Sequence, residues 1–255
     1  MERGRHYLAG AMSLAILLMA AGFTHAAYKE TSVANGGTIK GKLTYKGALP
    51  SDAVENVVIN KNPEVCGEGY REVVWIDVKG GALRGAFVYI EGIPEGKAWP
   101  APKEGKYLIN QKGCRFQPWA QVVKPGSITI RNSDKGVLHN INTREMIGVE
   151  KGSAVKKVLF NFGQPDPGDI EKDLKPRRSP HISLNCEAHN FMFGFMMAPE
   201  HPYAEVVGDD GSYAIRDVPP GAYTVKAWHP RLGLQESKVT VPAKGTAEAS
   251  FEFKK

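Results

Sequence analysis

The run His181-Ile182-Ser183-Leu184-Asn185-Cys186-Glu187-Ala188-His189-Asn190-Phe191-Met192 joins a strand to a loop of metal donors. Ile182, Leu184 and Cys186 share one parity, so a strand buries all three on one face. A thiol, an imidazole and a thioether follow within seven residues. The loop after the strand turns His189 back toward Cys186. A third donor, His139, stands at an earlier strand. Two imidazoles and a thiolate, with a weak axial thioether, suit copper cycling between Cu(I) and Cu(II). Structural zinc favours four protein ligands in paired Cys/His spacings, and here there is a single such pair.

Outward from that loop the chain keeps strand grammar. With 28 Gly, 17 Pro and no long helical periodicity, 255 residues read as short strands joined by turns. Val122-Val123-Lys124-Pro125-Gly126 leads through a turn into the alternating Ser127-Ile128-Thr129-Ile130-Arg131-Asn132, and Leu138 to Asn142 continues the sheet. Phe160 to Pro180, with four prolines and Lys172, Lys175, Arg177 and Arg178, reads as a solvated loop. The fold class is all-β, divided into residues 35–106, 107–200 and 201–255. Lys and Arg exceed Asp and Glu by six, spread without clusters, which argues against nucleic-acid binding. Serine-hydrolase, zinc-peptidase and phosphate-loop motifs are absent from the sequence.

Residues 1–26 read as a signal peptide: Arg3 and Arg5, an apolar run from Leu8 to Phe23, then Thr24-His25-Ala26-Ala27. The alternative is a retained anchor. Without it the mature chain does not span a membrane, and its location is periplasmic or extracellular.

Gly113 to Met197 resembles a cupredoxin, the plastocyanin-like copper fold. The resemblance is carried by Phe116-Gln117-Pro118, Val123 to Asp134, Leu138-His139-Asn140-Ile141 and the Cys186 loop. It implies a Greek-key β-sandwich with copper held by His139, Cys186 and His189, and a downstream Met as axial ligand. Asn140 matches the neighbour that ties the two ligand loops together. His189-x-x-Met192 is shorter than many loops of this family and resembles the dinuclear copper loop of oxidases, which needs a second Cys that is missing here. Met192, Met196 and Met197 compete for the axial position, and Met192 is favoured because a single tight turn returns it over the metal. The flanks, Gly37 to Leu43 and Asp210 to Val225, resemble a carboxypeptidase regulatory-like (prealbumin-like) β-sandwich. Either the copper block interrupts that sandwich, or the N-terminal strands complete the copper block and the tail stands alone.

With Cys186 as the copper thiolate, Cys66 and Cys114 are the pair left to form a disulfide in an oxidising compartment. The resemblance implies a one-electron carrier serving a redox partner protein, without enzymatic activity or a small-molecule substrate. The alternatives are copper binding or delivery without electron transfer, and a structural β-sandwich of an extracytoplasmic complex. The apolar run Phe191 to Met197 is expected either as a core strand or as a rim around a partly exposed His189, with His139 the deeper of the two.

Overall fold

The computed structural model describes residues 27–152 and 154–255; the signal-peptide reading falls outside them. The chain is all-β, and its one helix among the described residues is the single turn Pro63–Cys66.

Two sheets enclose the candidate site. One runs Phe116–Gln117, Leu108–Gln111, Gly126–Asn132, Gly168–Leu174; the other runs Ala120–Val122, Phe193–Met197, His181–Asn185, His139–Ile147, Val155–Gln164. Ile128, Ile130 and Asn132 are buried as the alternation of Ser127 to Asn132 predicts, but Thr129 on the other parity is buried as well; Ile128 and Ile130 enter a core shared with Ile109, Val123, Ile182 and Leu184. Such apolar burial, at about 25 cal/mol per Å², is the main force closing the two layers.

Phe160 to Pro180 is a solvated loop only from Lys175 onward, where Lys175, Arg177 and Arg178 are exposed; before that it is largely sheet. Val155–Gln164 pairs with His139–Ile147, and Gly168–Leu174 pairs with all of Gly126–Asn132. Pro165 and Pro167 sit in the connection between these strands, where neither removes a ladder donor. The polar residues face outward and are matched across strands: Arg131 and Lys106 both bind Asp169 at 2.7 Å, and Ser127 donates to Glu171 at 2.8 Å.

A second pair of sheets is built from both flanks. Ala204–Val206, Phe87–Ile90, Gly221–His229 and Gly233–Val241 form one. In the other, Gly37–Tyr45 is central, pairing with Ser212–Val218, Ala82–Leu83, Thr246–Glu248 and Phe251–Phe253. Strands before residue 91 therefore share sheets and a core with strands after residue 203, and the site-bearing sheets lie between them in sequence. Gly41 has no room for a side chain, because a Cβ there would lie 1.7 Å from the Ala249 carbonyl oxygen where the partner of the strand changes. The pairs of sheets meet across Phe87, Trp228, Phe195, Met197 and Met146.

The hairpin Val54–Val58/Tyr70–Val74 leaves the flanking sheets. Val73 and Cys66 join the core around Cys186 instead, so the hairpin bends over the site.

Candidate metal centre

Cys186 lies one residue past His181–Asn185, and the loop closes behind it: Cys186 N–H donates to Met192 O, and Met192 N–H to His189 O, both at 3.0 Å. This closure is the tight turn expected from the spacing. His139 begins the neighbouring strand. Ligand atoms of His139, Cys186 and His189 come within 4.8 Å of one another, and all three residues are buried.

Each imidazole is held through the same nitrogen. His139 Nε2 donates to Asp134 Oδ2 at 2.8 Å, and His189 Nε2 donates to Asn62 Oδ1 at 3.1 Å. In a neutral ring these bonds place the proton on Nε2 and leave the lone pair on Nδ1. His189 Nδ1 stands 3.5 Å from Cys186 Sγ, while His139 Nδ1 is buried without any hydrogen-bond partner. A buried, unpartnered lone pair costs free energy unless something accepts it. A cation between the two Nδ1 atoms and the sulfur would do so, so the residues present fit a soft metal.

The sulfur is prepared for the same role. Burial raises the Cys186 thiol, and backbone N–H groups of Asn140, Ala188 and His189 oppose that rise by favouring the thiolate; the Asn140 contact is 3.3 Å. Burial, then the neighbouring His139, lowers His189 to about 4, so its ring is neutral and free to donate at neutral pH. Burial alone would raise the Asp134 carboxyl, but N–H groups of Cys114 and Gly113 together with His139 hold it below the usual range. It stays ionised and orients the His139 ring.

Asn140 joins the two loops: beyond its N–H to Cys186, its Oδ1 accepts from Glu187 N–H at 3.3 Å. Glu187 in turn takes hydrogen bonds from Asn142, Arg144 and Asn161, fixing the start of the loop to the sheet.

No protein-family model matches the chain, and no curated protein does. Among solved structures it is similar to a copper-containing nitrite reductase from Thermus scotoductus SA-01 (14% identity, TM-score 0.28), covering 38% of this chain and 23% of that one. It thus spans less than a quarter of that enzyme. A purple cupredoxin from Nitrosopumilus maritimus (17%, TM-score 0.28) matches over 36% of this chain and 99% of its own. Amicyanin from Paracoccus versutus (12%, TM-score 0.29) matches over 44% and 97%. At these values the reading of the site rests on its own residues.

Met192 is buried in the same core as Cys186, as is Met196; Met197 instead packs between the two pairs of sheets. The expected rim around a partly exposed His189 is not found. His189 is as buried as His139, because Asn62 and the hairpin that carries it cover the ring edge. Phe191 and Met192 are also buried, and with Phe193, Trp119 and Arg71 they border a cleft of about 520 Å³. Cys66 and Cys114 are joined in a disulfide, leaving Cys186 free.

Asn62 and Asp134 escape a reading of the sequence. Asn62 lies 127 positions from His189, and no local pattern connects them. Asp134 carries a weak signal, being five residues before His139 in the turn between two strands.

Proposed function

We propose that this chain is an exported mononuclear copper protein that passes single electrons, with a cupredoxin-like copper block interrupting a regulatory-like sandwich that acts as scaffold. His139, Cys186 and His189 would hold the metal, with Met192 axial and Asn140 tying the loops. The observation that carries the reading is that His139, whose buried Nδ1 has no hydrogen-bond partner, brings a ring nitrogen within 4.8 Å of ligand atoms of the buried Cys186 and His189. Bound copper would supply a one-electron couple. The protein would supply a fixed donor set: Asp134 and Asn62 hold the rings, the Asn140 and loop amides favour the thiolate, and the surrounding core excludes water. A donor set that does not rearrange keeps the reorganisation cost of electron transfer low. A redox partner protein would take the electron, and no substrate would be transformed.

Copper titration of the mature protein, followed by visible absorption and electron paramagnetic resonance, tests this. One equivalent should produce an intense thiolate-to-copper band that Cys186→Ser abolishes. A wild-type protein that binds no copper refutes the proposal.

Burial of both imidazoles favours a second reading, copper holding without electron transfer. Electron self-exchange separates the two: fast exchange supports the carrier, and its absence in a copper-loaded protein supports the holder.

A further inference from the structure

A second set of donors stands beside the first. The sulfurs of Cys66 and Cys114 and a ring nitrogen of His189 lie within 4.8 Å of one another, and all three residues are buried. The two sulfurs are bonded, but that bond is not all that keeps the cysteines together. The buried Arg71 guanidinium donates to the carbonyls of Cys66 and Cys114, and to that of Gly113 at 3.3 Å. Asp134 accepts the N–H groups of Gly113 at 2.8 Å and Cys114 at 3.0 Å. The Cys66 N–H is held by Asn62 O at 2.8 Å. All of these are contacts to the backbone, and none of them runs through the S–S bond or needs it to form. Arg71 also places a cation next to both residues, which favours thiolates.

We propose that the dithiol form of Cys66 and Cys114, with His189 alongside, is a second soft-metal site that takes Cu(I). Opening the disulfide then raises the copper capacity of the chain from one ion to two. The new site is formed by the two thiolates and needs neither His139 nor Cys186; His189, whose Nδ1 serves the first ion and whose Nε2 donates its proton to Asn62, stands alongside without ligating the second ion. An external dithiol supplies two electrons and two protons: the S–S bond breaks, two S–H bonds form, and the donor is oxidised to its own disulfide. Cu(I) replaces the two thiol protons, which pass to solvent, and its oxidation state does not change. Two thiolates form a soft donor set that favours Cu(I).

The test is anaerobic Cu(I) titration of the full mature chain against bathocuproine disulfonate. Protein is used either as isolated or after dithiothreitol treatment and desalting, with thiols counted before copper is added. Wild type should bind one equivalent as isolated and two when reduced. Cys186→Ser should bind none as isolated and one when reduced, and X-ray absorption of that ion should show two sulfur ligands. The double variant Cys66→Ser/Cys114→Ser should bind one equivalent with or without reduction. Reduced Cys186→Ser that takes no Cu(I), or a double variant that gains a second ion on reduction, overturns the inference. Should wild type as isolated bind none while reduced Cys186→Ser binds one, the mononuclear reading fails and the dithiol site stands.

Discussion

Asp134 Oδ2 sits 2.8 Å from His139 Nε2, with both side chains buried, so one carboxylate fixes which nitrogen of the ring is left to bind. Asp134→Asn keeps the shape but removes the charge that orients the ring. It should weaken copper binding by about 10- to 100-fold. Competition titration measures this, and an unchanged affinity would remove Asp134 from the centre.

Met192 and Met196 share a core with Cys186, whereas Met197 points to the contact between the pairs of sheets. Met192→Leu should keep copper and raise the reduction potential, because the axial ligand tunes potential more than binding. Met196→Leu and Met197→Leu should leave the potential near wild type. Protein-film voltammetry on the three variants checks the assignment; a shift in Met196→Leu alone moves the axial role there.

Three buried histidines outside the centre make stability depend on pH. Burial, then nearby cations, holds His181 and His229 down to about 3, and burial holds His201 down to about 4. Unfolded, each takes a proton near pH 6.5. Between these values the unfolded chain binds more protons, so stability is full above about pH 6.5 and falls as the pH drops toward 4. The loss should reach about 2 to 3 kcal/mol for each ring by pH 4.5. Denaturant melts of metal-free protein across that range measure it, and a flat profile contradicts the burial of these rings.

The Cys66–Cys114 bond closes a loop of 48 positions, worth about 4 kcal/mol on a chain-entropy account. Denatured, metal-free protein should show one free thiol, and Cys66→Ser/Cys114→Ser should lose stability of that order. Three free thiols in protein isolated without reductant would show that the bond does not form.

Local pattern made the core of this site readable. The parity of Ile182, Leu184 and Cys186 placed the thiol inward, and His139 could be placed because it follows an alternating strand and a turn. Contacts across distant segments were not readable. The Asn62 cap depends on a hairpin tethered by Cys66, and the burial of His189 follows from that cap. The prolines and cations of Phe160 to Pro180 signal solvent, which holds for Lys175 to Pro180; the strand Gly168–Leu174 was hidden because its polar residues Asp169 and Glu171 are matched by Arg131, Lys106, Ser127 and Thr129.

Strand Gly37–Tyr45 finds Phe251–Phe253 across about 208 positions, while the two site-bearing sheets are complete between residues 108 and 197. Pairings at such separation are slow to form, since the loop-closure cost precedes the reward. The inner sheets can therefore mature first, with the flanking sheets closing around them. Until then Gly37–Tyr45 has only Ala82–Leu83 beside one end and lacks its partners from the far end of the chain, and such open edges are where intermediates aggregate. The order of assembly, inside before outside, is written into the interruption of one sandwich by another.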